Sequence, residues 1–94
     1  MRPTVLNEAA VVSGMQQLVD WQRENAMIQR IFERSSFADA IAFVVRIGFL
    51  AEAMDHHPDV DIRYRTVTVA LATHDAGGIT ELDLRLASQI DAIA

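Results

Sequence analysis

Residues 36 to 54 constrain this chain more than any other segment. Phe37, Ile41, Val44, Val45, Gly48, Phe49 and Ala51 leave few polar positions in what reads as one long helix. Ser36 followed by Asp39 resembles a capping box at its start. Pro58 disfavours helical geometry at His57, so the helix is expected to stop near His56. A helix this apolar is expected to be buried on more than one side. The chain has 94 residues, which allows one domain over 1–94,. A domain of that size cannot wrap such a helix by itself, which hints at burial by another subunit.

The other elements follow from shorter patterns. Val11, Val12, Met15, Leu18 and Val19 recur at helical spacing and predict a helix over 8–19, with Asn7 as its N-cap,. Between Trp21 and Glu33 the apolar residues alternate around a polar stretch, which predicts a hairpin turning near Asn25,. Residues 60–73 read as strand, with Val67, Val69 and Leu71 alternating against Thr66, Thr68 and Ala70,. Arg63 and Arg65 share the parity of Val67, so a break is expected near Tyr64. Gly77-Gly78 forces a turn. Thr80 and Asp83 form a second capping box, and Leu82, Leu86, Ile90 and Ile93 stripe the last helix,. The order is α-β-β-α-β-β-α. The fold class is α+β, with helices packed on one face of an antiparallel sheet.

Composition removes several function classes. With 8 basic and 13 acidic residues the formal net charge is -5, which disfavours direct nucleic-acid binding,. There is no cysteine, hence no disulfide framework and no thiolate metal site,. No apolar run reaches the roughly 20 residues of a membrane span, and nothing reads as a secretory leader. A cytoplasmic protein is the expectation.

Chemistry is then sought among the three histidines, His56, His57 and His74. The segment from Ala51 to Asp59 reads AEAMDHHPD. Neighbouring residues on a regular helix point apart, so an irregular helix exit is needed to direct both imidazoles. Glu52 and Asp55 lie within a turn of them, and His74 follows the strand-like stretch, with Asp75 next to it. Residues alone leave alternatives open. The His-His pair reads equally as a solvated helix terminus, where imidazolium suits the helix dipole. Three histidines with nearby carboxylates could form an open zinc site, although adjacent histidines fit metal-ligand spacing poorly. Asp83 reads mainly as a helix cap.

The run Glu52-x-x-x-His56-His57-Pro58, followed by Tyr64, His74 and Asp83, resembles the signature of the pterin-4a-carbinolamine dehydratases. THDAGGIT at 73 to 80 and LDLRLASQID at 82 to 91 resemble that family's THxxGGLT motif and following helix. Weaker similarity extends to Asp20-Trp21 and to the Phe37–Phe49 stretch, so the resemblance spans essentially the whole chain.

The resemblance implies a four-stranded antiparallel sheet with three helices on one face. It implies dehydration of 4a-hydroxytetrahydropterin to quinonoid dihydropterin and water, a step that recycles the cofactor of aromatic amino acid hydroxylases. His56, His57 and His74 would be the catalytic imidazoles. Glu52, Asp55, Pro58, Thr73, Asp75 and Ala76 would bind or orient around the pterin. No metal and no cofactor are implied, the pterin being the substrate. The implied assembly is a homodimer that extends the sheet, or a tetramer joined through helices. A non-enzymatic dimerisation or assembly partner on the same fold is the alternative.

Overall fold

The computed structural model describes residues 3–94. Its elements are α1 (Glu8–Met15), β1 (Gln22–Glu24), β2 (Met27–Glu33), α2 (Phe37–Met54), β3 (Asp59–Arg63), β4 (Thr66–Leu71) and α3 (Glu81–Ile93). The four strands form one antiparallel sheet in the order β1-β2-β4-β3. The expected α-β-β-α-β-β-α order is present in full.

Strand alternation divides the sheet into two faces. Ile28 and Phe32 of β2 and Val67, Val69 and Leu71 of β4 are buried on one of them. Register puts Ile28 opposite Leu71 and Phe32 opposite Val67. These side chains join Phe43 and Ile47 of α2 and Leu86 and Ile90 of α3 in one apolar cluster. Phe32 lies between Trp21 and Phe43, meeting both rings edge-on at 6.2 and 4.9 Å. The opposite face carries Gln29, Ile31, Thr68 and Asp61 and stays open.

Both hairpins turn through two residues, Asn25-Ala26 and Tyr64-Arg65. Each loop opens on a left-handed residue, with φ of 55° at Asn25 and at Tyr64. Asparagine tolerates that region, whereas a bulky residue is strained in it. The expected break near Tyr64 is therefore a tight turn. The strand expected over 60–73 is two strands joined by that turn, with an isolated bridge from Thr73 to Gly78 beyond them.

Two expectations need correction. Helix α1 is capped by Asn7, whose side chain accepts from the Ala10 amide at 2.8 Å, but it ends at Met15 instead of 19. Turns at Met15–Leu18 and Leu18–Trp21 replace its last stretch. They bury Leu18 and Trp21 and leave Val19 81% exposed. Gly14 allows α1 to approach α3, because a Cβ there would collide with Leu84.

The capping box expected for α2 is half formed. Ser36 Oγ accepts from the Asp39 amide, but the Asp39 carboxylate turns to Arg34 and to the Ser35 amide and hydroxyl.

Helix α2 has two apolar faces. Ala40, Phe43, Ile47 and Ala51 form its buried stripe. Phe37, Ile41, Val45 and Phe49 form a second apolar stripe, exposed by 52, 39, 52 and 73%.

Hydrogen bonds from the Arg34 guanidinium, then from the Ser35 amide, hold the Asp39 carboxyl below its ordinary value of 3.8. A depressed carboxylate contributes stability above its unfolded value and loses it as pH falls through the folded one. Urea titrations of wild type and Asp39→Asn should therefore differ at neutral pH. The gap should close progressively below 3.8, as the wild type loses what the variant never had.

Candidate active site

The site lies where α2, β4 and α3 bring their ends together. Helix α2 finishes in a Schellman arrangement. The Asp55 amide donates to the Glu52 carbonyl and the His56 amide to the Ala51 carbonyl, both at 3.1 Å. Asp55 occupies the left-handed position, with φ of 50°, where glycine is the usual choice. The residue after it in this motif normally folds back onto the helix face. Here that residue is His56, which explains why it is buried while His57 is exposed. The two imidazoles diverge: His56 turns inward and His57 outward.

His56 Nε2 lies 2.6 Å from Asp83 Oδ1. Asp83 is fully buried. Its other oxygen, Oδ2, accepts from the Thr80 amide and from the Thr73 hydroxyl, both at 2.9 Å. Thr73 Oγ1 is also 2.7 Å from Thr80 Oγ1. Because Thr73 has one hydroxyl proton and gives it to Asp83, Thr80 is the donor in that second contact. A carboxylate with this set of donors takes a proton from His56 Nε2 as a hydrogen bond. Nδ1 is then the ring nitrogen that carries no proton in the neutral imidazole. Asp83 thus does more than cap α3, the role its spacing from Thr80 indicates. It also anchors an imidazole from 27 residues upstream. The sequence signal was the conjunction of that cap with Thr73 and the His-His-Pro segment; neither motif shows it alone.

His57 Nε2 lies 2.6 Å from Glu52 Oε1 in an exposed pair. His74 is exposed at the start of the turn that Gly77 completes, with φ of 82°. A cavity of 180 Å³ is lined by Asp55, His56, His57, Thr73, His74 and Asp75, together with Ala72. Of the remaining residues proposed from sequence, Glu52 reaches this group through His57, whereas Pro58 and Ala76 do not line the cavity. Ala72 was not anticipated: a small apolar side chain carries no motif signal. Among the described residues no three His, Asp or Glu side chains come together as a metal-ligand set.

The chain as a whole has known relatives. A sequence model described as "Pterin 4 alpha carbinolamine dehydratase" matches residues 4–93. The chain belongs to the pterin-4a-carbinolamine dehydratase family. Family members are hydro-lyases, and this chain is an enzyme of that class. A relative bearing the dehydratase name in Roseiflexus castenholzii is 52% identical over 89 residues, covering 95% of this chain and 96% of its own. Another in Chloroflexus aurantiacus is 53% identical, covering 94% and 95%. The fold matches a crystal structure titled transcriptional coactivator/pterin dehydratase from Brucella melitensis. The TM-score there is 0.93 at 35% identity, over 97% of this chain and 99% of that one. A pterin dehydratase-like protein identified as a RuBisCO assembly factor in the alpha-carboxysome is more distant. Its TM-score is 0.64 at 25% identity, over 79% and 86% of the two chains. No helix among the described residues is long and apolar enough to cross a membrane.

The Asp83–His56 pair makes a direct prediction. In Asp83→Asn the side-chain NH2 faces His56, and the imidazole proton should move from Nε2 to Nδ1. Imidazole nitrogen shifts by NMR should report the exchanged tautomer. Weakening a buried charged hydrogen bond should also lower stability by about 1–3 kcal/mol, measured by thermal or urea unfolding.

Proposed function

We propose that the protein dehydrates 4a-hydroxytetrahydropterins to quinonoid dihydropterin and water, with its three histidines as the acid and base groups. The observation that carries this reading is the meeting of His56, His57 and His74 around one cavity in a chain of the dehydratase family. The reaction breaks the bond from C4a to its hydroxyl and forms a double bond from C4a to N5. The leaving oxygen must gain a proton, and N5 must lose one. Imidazole serves either role near neutrality. Oxidation state does not change, so the reading calls for no redox cofactor and no metal.

His56 is the base in this scheme. With Nε2–H held by Asp83, Nδ1 offers a lone pair to the N5 proton. The buried carboxylate then offsets the imidazolium charge that forms. His57 and His74, both exposed at the mouth of the cavity, supply the proton for the leaving hydroxyl. Glu52 orients His57, and Asp55, Thr73 and Asp75, which line the cavity, contact the pterin. The setting is the cytoplasm, and the substrate comes from pterin-dependent hydroxylation.

Stopped-flow absorbance on freshly generated 4a-hydroxytetrahydropterin tests the reading. Wild type should exceed the spontaneous rate. His57→Ala and His74→Ala should each lower turnover by roughly 10²–10⁴, the range of general acid–base catalysis, without loss of fold. His56→Gln is the better variant at the buried position, since it can keep a donor on Asp83. A wild-type rate equal to the spontaneous one would remove the enzymatic reading.

The same reading includes self-association. The stripe of Phe37, Ile41, Val45 and Phe49 is apolar and exposed, a combination that marks an interaction surface. Strands β1 and β3 are the sheet edges, and β3, with five residues against three, offers the longer edge for a second copy. Phe49→Glu should give a smaller species by analytical ultracentrifugation than wild type, with far-UV circular dichroism unchanged. The exposed stripe also favours the second reading, an assembly partner of another protein. A stoichiometric complex whose formation is insensitive to His57→Ala and His74→Ala would support it.

A further inference from the structure

The Thr80 hydroxyl does more than a helix cap requires. As the N-cap of α3 it accepts from the Leu82 amide at 3.2 Å, and capping uses only its lone pairs. The hydroxyl proton is left over. On an exposed cap that proton goes to water, but Thr80 is fully buried. Its oxygen lies 2.7 Å from Thr73 Oγ1, the contact in which Thr80 is the donor,. Thr73 in turn donates to Asp83 Oδ2 at 2.9 Å. The other oxygen of that carboxylate meets His56 Nε2 at 2.6 Å. Two hydroxyls therefore point one way, from Thr80 through Thr73 to the group that holds His56.

The middle link is also fixed through its backbone. The Thr73 carbonyl accepts from the amides of Ala76 and Gly77 at 3.1 and 3.0 Å, and the Thr73 amide donates to the Gly78 carbonyl at 3.0 Å. The turn that carries His74 thus holds Thr73 in place. Thr80 does not line the histidine cavity, so its path to the imidazole runs through these links. Resting on the dehydratase reading above, we propose that Thr80 is a positioning residue for His56, acting through its hydroxyl proton by way of Thr73 and Asp83.

The physical effect has a definite direction. Each hydroxyl in a hydrogen-bonded chain strengthens the donation of the next, so Thr80 makes Thr73 a better donor to Oδ2. The more charge Oδ2 shares with its donors, the less Oδ1 draws on the Nε2 proton. A weaker pull stabilises the imidazolium less and keeps the Nδ1 lone pair free where the base must act. The other ionisable groups around His56 are Asp55 and His57 from the exit of α2 and His74 and Asp75 from the turn after β4, with Glu52 behind His57. Substituting Thr80 changes none of these charges.

The test has two arms. Proton NMR on protein with 15N-labelled histidine reads the His56 Nε2–H directly and needs no turnover. In Thr80→Val this proton should move downfield, because Oδ1 pulls harder on it. Thr73→Val, which leaves the cap of α3 intact, should move it further. Adding Thr80→Val to Thr73→Val should move it no more, since the link between them is already broken. Thr80→Ser keeps the hydroxyl and should return the wild-type position. In the stopped-flow assay Thr80→Val should lose about threefold in kcat on the acid side of the pH profile, with the acid limb moved to higher pH and KM within about twofold of wild type. Thr80→Ser should restore that profile.

A Thr80→Val protein that loses stability but keeps the His56 proton in place would overturn the proposal, leaving Thr80 a cap alone. So would an equal displacement with and without Thr73→Val, a serine variant that behaves like valine, or a displaced proton with an unchanged pH profile in an active enzyme. If Thr80→Val does not fold, Thr80→Gly takes its place in every comparison, being the mildest loss of a cap side chain. If the displacements appear and wild type gives only the spontaneous rate, the hydroxyl chain to His56 stands and the dehydratase reading falls.

Discussion

A carboxylate with no solvent exposure is the constraint on which this site depends. Burying the Asp83 carboxyl group is tolerable only because each oxygen has a hydrogen-bond partner. Oδ1 meets His56, and Oδ2 meets the Thr80 amide and the Thr73 hydroxyl. Those donors come from the exit of α2, the entry to α3 and the bridge residue after β4. One side chain therefore ties together three elements that are distant in sequence. Among the described residues no buried side-chain polar atom lacks a partner. The network is complete, and a complete network holds its members in one arrangement. The placement of His56 and the docking of α3 are thus a single packing event.

Divergence of His56 and His57 is the second half of the design. Adjacent side chains on a regular helix are separated by about 100°, and the exit from α2 decides which of the two imidazoles turns inward. The left-handed residue Asp55 breaks that regularity. It sends the following residue back toward the core and lets the next emerge at the surface. A non-glycine residue held in this conformation carries strain, which is common at functional sites. Aspartate tolerates it better than most residues and brings a carboxylate to the cavity wall.

Much of this was legible in the sequence, and the reasons differ by segment. Alternation in Thr66–Leu71 and spacing in Leu82–Ile90 report burial on one face, so those elements match their patterns. The capping pair Thr80 and Asp83 is local chemistry and reads directly. Residues 16–19 misled because Leu18 and Trp21 are buried by turns, while helical spacing registers only that apolar residues recur. Helix α2 shows two apolar stripes in its sequence, and only tertiary packing decides which one faces the sheet. The site was legible as a list of histidines and carboxylates. Its wiring was not, because His56–Asp83 is a long-range contact, and Asp83 already had a sufficient local explanation as a cap.

The two faces of α2 lie close to the candidate site. Ala40, Phe43, Ile47 and Ala51 fix the helix to the sheet, and its last turn carries Glu52, Asp55 and the chain into His56 and His57. Phe49 lies one turn before Glu52 and is 73% exposed, so the outward stripe runs almost to the site. A partner copy packed on that stripe would restrain the end of the helix that orients both imidazoles. It would do so without entering the cavity, whose lining comes from the exits of α2 and β4. A domain this small has little core to spare for rigidity. Covering an apolar stripe on its longest helix would supply rigidity from outside, at the helix end where the imidazoles are set.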